Sequence, residues 1–385
     1  MSVLQAGQRG EAPQEEPLPR LSASQRAVLK RCWRKWGWKY IDRLEPKGPT
    51  HKNLWFGIGI HEALAGHYGL GTDRGEHPAR IFEQWANGEV PKIKVYAERF
   101  EADEKVYLDA VELGVIMLEE YIKEYGADDQ WHVIATEQEG RVRIPDPNGR
   151  RMVARFSYVF DGVVRDRSTG KIWLVEHKTA SQINTDHLSL DEQAGAYWAV
   201  ASSVLRRSGV LSEKETIAGV MYNFLRKTTP DNRPRHPVTG ERLNKPTKAH
   251  YLAALADAEI SVAKTIKVEQ LAAACEAEGL IVLGDVSASQ PTPAFVRYPV
   301  RRNVHERRTQ IERIGHEAAI VTQLRSGTLP LIKTPRQSGF DACKWCEFFQ
   351  MCELHERGAD WETYRDHMYT VRPADERKSA YQPSN

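Results

Sequence analysis

Residues 161 to 178 place an aspartate, a turn and the triplet Glu176-His177-Lys178 at the end of an apolar run. A charge at the end of a strand that otherwise reads as buried must be paired, metal-bound or catalytic, because burying it unpaired is costly. The link RDRSTG joins RRMVARFSYVFDGVV to KIWLVEHKT, so the two runs are expected to form a hairpin. Glu176 and Lys178, two residues apart on a strand, then share a face, and His177 points the other way. Two carboxylates with one ammonium at a sheet end suit Mg2+ or Mn2+, hard ions that keep several waters and bind substrate phosphates. The lysine could polarise or deprotonate a metal-bound water, or offset charge on an attacked phosphate. A surface ion pair at a strand end would use the same residue types.

Two other stretches offer ligands. In GIGIHE, glycines precede His61, which is expected at the start of a helix near Ile60; neutral imidazole is a common divalent-metal ligand, and a core or capping histidine is the alternative. Gln193 and Tyr197 lie four apart in DEQAGAYWA and share a helix face, where they suit a phosphate backbone or a base edge, or simply pack.

Three of the five cysteines fall in FDACKWCEFFQMCELH as Cys343-x2-Cys346-x5-Cys352. This spacing points to metal ligation and leaves a tetrahedral site one thiolate short. Cys275 sits in an alanine-rich helix where a small buried thiol fits. Cys32 lies among aromatic and basic residues, and choosing it makes the metal a clasp between the two ends of the domain. Spacing does not separate zinc from an iron–sulfur cluster.

The elements that must position these groups read as α/β. A helix is expected over 23–42, opened by a Ser22-Ala-Ser-Gln25 capping box. Residues 78–126 read as mostly helical, strands run from 131 to 179, and a helix LDEQAGAYWAVASSVLRR precedes the strand TIAGVMYNFLR. Residues 227–248 hold four prolines and six Lys or Arg against two acids, a basic loop unusual in a compact domain. Helices over 248–278 and 304–326 flank a strand AFVRYPVRR. With 41% apolar and 28% charged residues, a net charge of +2 and no long apolar run, the chain reads as soluble, away from membranes and cytoplasmic. The near-neutral charge leaves room for separate basic and acidic patches, as a DNA enzyme needs.

In chain order, Cys32, the Gly-x-His61 turn, Asp161, Glu176-x-Lys178, Gln193-x3-Tyr197 and the cysteine trio resemble the RecB-like branch of the PD-(D/E)XK nuclease superfamily. The resemblance is closest to its iron–sulfur members: the CRISPR-associated Cas4 nucleases, the cluster-bearing nuclease domain of the AddB subunit and related phage exonucleases. It implies a restriction-endonuclease-like core, a mixed central sheet flanked by helices, with a helical insertion (62–128) and an iron–sulfur clasp. The nuclease domain would span 21–358, after a disordered lead (1–20) and before a C-terminal tail (359–385).

Carried over, the resemblance makes His61, Asp161, Glu176 and the main-chain carbonyl of His177 ligands of Mg2+ or Mn2+. Lys178 assists the water, and Gln193 and Tyr197 contact DNA or support the site. Cys32, Cys343, Cys346 and Cys352 hold a 4Fe–4S cluster, and Glu137 falls where relatives often carry an acid. The implied activity is a DNA exonuclease favouring single strands or ends, with Trp33 and Trp36 available to stack bases or to pack the core. A CRISPR adaptation nuclease with a recombination or adaptation partner, and a non-catalytic DNA-binding subunit, are the alternatives. No Walker A sequence is present.

Overall fold

The computed structural model describes residues 18–100, 103–146, 148–149, 151–263, 265–330 and 336–373. Most of the expected disordered lead (1–17) and the far part of the tail (374–385) lie outside these residues. From the N-terminal side the elements are β1 (Arg20–Ser22), α1 (Ala23–Arg31), α2 (Trp33–Tyr40), β2 (Leu44–Pro46), α3 (Lys52–His67), α4 (Pro78–Phe100) and α5 (Lys105–Tyr125). A meander of β3 (Trp131–Pro145), β4 (Met152–Asp166) and β5 (Ile172–Ala180) follows, and α6 (Glu192–Arg207) leads to β6 (Ile217–Arg226). Next come α7 (Lys248–Asp257), α8 (Val268–Ala277), β7 (Phe295–Arg301) and α9 (Val304–Arg325). The last are α10 (Phe340–Cys343), α11 (Phe349–Glu356), α12 (Trp361–Met368) and β8 (Tyr369–Val371).

The mixed sheet runs β1-β4-β5-β6-β7, with β3 along the other edge of β4. The expected β4–β5 hairpin is antiparallel, β5 and β6 are parallel, and β7 returns antiparallel on β6. Helices cover both faces, so β5 is buried continuously over its first six residues. On one face Leu174, Phe160 and Tyr222 pack with Trp36, Trp198 and Ile314, from α2, α6 and α9. On the other, Trp173 and Val175 pack with Ile60, Phe82 and Leu118, from α3, α4 and α5. No described helix is long and apolar enough to cross a membrane.

Several expectations need correction. The helix expected over 23–42 breaks at Cys32, whose extended backbone (φ −163°, ψ 116°) ends α1 and caps α2. Only half of the capping box forms: Ser22 Oγ accepts from Gln25 N–H at 3.2 Å, and Gln25 Oε1 is buried without a partner. The lead expected over 1–20 reaches into the sheet at its last residue, because Arg20–Ser22 pairs in parallel with Arg155–Ser157. The helix carrying His61 starts at Lys52, so the insertion expected at 62 begins inside α3. The glycines lie within that helix because a Cβ on Gly59 would stand 2.4 Å from the Trp85 ring, and glycine there lets α3 meet α4. Trp36 is fully buried, so it packs the core and stacks on no base. The tail expected from 359 contains α12 and β8, and β8 pairs antiparallel with β2.

Candidate active site

The site begins where β4 and β5 part. Their pairing runs from Arg165↔Ile172 to Gly162↔Val175 and stops. β3 occupies one edge of β4 throughout, and the other edge is shared between β5 at 162–165 and β1 at 155–157. Tyr158–Asp161 therefore face a notch with no strand partner on that side. The first residues past the last pair are Asp161 and Glu176. Asp161 Oδ2 replaces the missing ladder acceptor, taking the His177 N–H at 2.7 Å.

α3 lays His61 against this notch, with Nδ1 3.2 Å from Asp161 Oδ1. Burial alone would raise the Asp161 pKa, but His61 and the His177 N–H outweigh it and hold the carboxyl below the usual range. Burial works against charge on His61 as well; Asp161, then Glu176 and Glu137, overcome it and lift the imidazole to about 9. Glu176, buried to 4% exposure, accepts from Lys178 Nζ at 2.6 Å and Gln193 Nε2 at 3.4 Å. Burial disfavours the Lys178 ammonium, yet Glu176 raises it to about 12. Lys178 therefore carries its proton here and acts as a cation, so deprotonating a water is not a role its surroundings favour.

Glu137 on β3 completes the cluster. Thr136 pairs with Gly162 and Gln138 with Phe160, which sets Glu137 opposite Asp161. Its backbone is left-handed, φ 43°. Burial, reinforced by Asp161, pushes its carboxyl up to about 8. Three carboxyl groups thus converge beside one imidazole, and protons on Glu137 and His61 offset their repulsion. A divalent cation would supply the same positive charge, and oxygen donors with one imidazole suit Mg2+ or Mn2+. No group of three or more His, Cys, Asp or Glu side chains among the described residues stands already assembled as a metal site.

α6 supports the cluster from the other face. Asp191 caps it, accepting from Gln193 N–H at 2.9 Å and Ala194 N–H at 3.3 Å, and Tyr222 Oη donates to Asp191 at 3.2 Å. This fixes Gln193 against Glu176. Tyr197, one turn on, packs its ring on Phe156 and Phe160 with centroids 6.2 and 6.0 Å away, and burial raises its phenol pKa.

A buried network on the α3 side was not anticipated from the sequence. The His177 ring lies edge-on to His61, centroids 5.8 Å apart. Asn223 Nδ2 donates to His177 Nδ1 at 2.9 Å and to Tyr121 Oη at 3.0 Å. Tyr121 meets Tyr68 at 2.6 Å, and Tyr68 donates to Asp128 at 2.7 Å. Arg297 pairs with both Asp128 oxygens, at 2.7 and 2.5 Å, and is sandwiched between the Tyr125 and Trp131 rings. Burial holds His177 well below the usual histidine range, at about 3. The available signal was Asn223, a polar residue inside the apolar run GVMYNFLR.

The cysteines form a second locus. Cys32, Cys343, Cys346 and Cys352 line one cavity of about 300 Å³ with Arg31, Arg34 and Lys35, whereas Cys275 is buried between α7 and α8. Arg34 Nη1 lies 3.5 Å from Cys352 Sγ, and Lys35 N–H 3.5 Å from Cys32 Sγ. Around it, Lys35 and Lys39 both pair with Glu347, Arg34 pairs with Glu356 at 2.5 Å, and Trp38, Leu44, Phe348, Met351 and Tyr369 form a small core.

A family model described as the PD-(D/E)XK nuclease superfamily matches residues 20–353. A search of curated proteins found no match.

Proposed function

The chain belongs to the PD-(D/E)XK nuclease superfamily, and on that premise we propose that it is a Mg2+- or Mn2+-dependent DNA exonuclease acting on single strands or free ends. The parting of β4 from β5 carries this reading, because it leaves Asp161, Glu176 and Lys178 at one open notch with His61 beside them. Asp161, Glu176, His61 and the His177 carbonyl would hold the divalent ion, with Glu137 adjacent. When bound, the ion supplies Lewis-acid charge to a phosphate oxygen and acidifies a water.

The chain's own groups do the rest. Lys178, held charged by Glu176, faces the notch as an ammonium that can offset negative charge growing on the phosphate. Gln193 keeps Glu176 in place, and the His177 N–H fixes the rotamer of Asp161. The preference for ends and single strands rests on the resemblance to the RecB-like branch.

The four-cysteine cavity is assigned a 4Fe–4S cluster. Four thiolates are the donor set such a cluster needs, and the four basic residues that line the cavity, Arg31, Arg34, Lys35 and Arg336, offset its charge. A single zinc ion would take the same four thiolates, drawing the sulfurs to about 2.3 Å. Brown colour with visible absorbance in anaerobic preparations separates the two.

The deciding experiment is a digestion time course on end-labelled single- and double-stranded DNA with Mg2+ or Mn2+. Metal-dependent release of mononucleotides or short products, abolished in Asp161→Ala and Glu176→Ala, supports the reading. Undiminished cleavage in either variant, or none in the parent chain, ends it.

A further inference from the structure

β6 and β7 are neighbouring antiparallel strands that a short turn could join, yet residues 227–294 stand between them. The insertion is tied together at its root. Asn244 N–H donates to Asp285 O at 2.8 Å, Ser287 N–H to Arg242 O at 2.8 Å, and Arg233 bonds Asp231 at 2.6 Å and Ser287 Oγ at 2.8 Å. Further out, α7 and α8 pack on each other around Leu255, Leu271 and Cys275, a core separate from those of the sheet. This is a built arm, not slack chain.

Its charge is divided. Residues 227–248 hold six Lys or Arg against Asp231 and Glu241, whereas residues 249–294 hold six acids against Lys264 and Lys267. The basic part adjoins the active site. Lys227 N–H donates to Ala180 O at 2.7 Å, two residues past Lys178 on β5. Lys227 Nζ reaches Asn53 Oδ1 at 3.2 Å and lies 5.1 Å over the Phe56 ring, both on α3, the helix that carries His61. Lys52 opens the same helix, and burial together with its charge lowers the Lys227 pKa. Among the described residues Lys52, Lys227, Arg235 and Lys245 make no ion pair, and Lys52, Arg235 and Lys245 are exposed. Lys52 and Lys227, like charges side by side without a counter-ion, attract a polyanion.

We propose that Lys52 and Lys227 at the root of the arm, continued by Arg235 and Lys245, form a phosphate track that holds a nucleic-acid strand just beyond the bond to be cut. The acidic α7–α8 hairpin marks where that strand must turn away. The proposal rests on the nuclease reading and adds to it a path for the substrate. Two residues of strand span about 7 Å, so the track begins about two steps of a stacked nucleic-acid strand from Lys178.

The test uses the full chain and a fluorescent single-stranded oligonucleotide of about 20 nucleotides, with anisotropy read without divalent metal from about 50 to about 200 mM salt. The variant Lys52→Gln/Arg235→Gln/Lys245→Gln spares every residue of the candidate active site. Its affinity is expected to fall about tenfold or more at the low-salt end, and the slope of log K against log salt to become shallower by about two, at about 0.7 per lost phosphate contact. Unchanged affinity and slope, with an unchanged unfolding temperature, overturn the track. If the triple variant does not fold, Arg235→Gln and Lys245→Gln singly carry the test, each with an expected slope change of about 0.7. A parent chain that binds the strand along this track but does not cut it with Mg2+ ends the nuclease reading alone. One that cuts, with the same salt slope in parent and variant, ends the track alone.

Discussion

Glu137 faces Asp161 across the β3–β4 ladder from a left-handed backbone conformation, φ 43°. A non-glycine residue held there costs on the order of 1–3 kcal/mol and persists only where its surroundings insist on it. Its carboxyl adds a second cost, since burial and Asp161 together oppose its ionisation. Both costs fall beside the groups assigned to the metal.

That arrangement gives a pH dependence. The folded pKa of Glu137, about 8, lies above its ordinary value of 4.5, so its contribution to stability is complete below about 4.5 and is lost as pH rises through about 8. Glu137→Gln cannot ionise. In metal-free protein its unfolding temperature is expected to gain on that of the parent as pH is raised from about 5 to about 9. Parallel curves for the two proteins would contradict the shift.

Lys178 acts as a cation paired with Glu176. Lys178→Ala is expected to lower the metal-dependent cleavage rate by about 10²–10³ while oligonucleotide affinity stays close to that of the parent. Single-turnover rates and metal-free anisotropy measure the two halves. Full activity in the variant would remove the lysine from the chemistry.

Asn223 holds His177 from behind, and His177 in turn presents the N–H that orients Asp161. Asn223→Ala leaves the buried His177 Nδ1 without its partner, while Tyr121 Oη still receives Arg297 Nη2 at 3.1 Å, and the expected loss is about 1–3 kcal/mol in denaturant unfolding. If positioning is its role, kcat falls while KM changes little. A loss of stability with unchanged kcat would make Asn223 structural only.

The clasp around the four cysteines has supports other than thiolates: β2–β8 pairing, the Trp38–Phe348–Met351 core and the Glu347 pairs with Lys35 and Lys39. Stripping the assigned cluster with chelator and oxidant is therefore expected to remove the visible absorbance and lower the unfolding temperature, yet leave the far-ultraviolet signature of the sheet. Cys343→Ala is expected to do the same. Complete unfolding in either case would show that the thiolate site holds up the whole chain.

Much of the site was legible because its signals are local. The turn RDRSTG, the two-residue spacing of Glu176 and Lys178, and the cysteine spacing all lie within short stretches, and the hairpin that the turn predicts is present. The errors came from distant contacts. Gly57 and Gly59 look like a helix-opening turn until Trp85 and Phe82 pack against α3. Trp36 looks available to a base until the sheet covers it. The support behind His177 joins Tyr68 to Arg297 across 229 positions, and only Asn223 betrayed it. Glu137 was named only by resemblance, since nothing near it in the chain indicates that β3 delivers a strained acid to that point.

Pairing β2 with β8 also bears on how the polypeptide is made. Thr370 reaches Glu45 across 325 positions, so during synthesis the clasp can close only after residue 370 has left the ribosome. The meander that carries Asp161 and Glu176 is complete long before then, with Cys32 already exposed and its three sister thiols not yet made. Late closure over so long a loop is slow. A nascent chain would therefore pass through a period in which its hydrolytic centre is assembled and its clasp stands open, with one cysteine waiting for the rest.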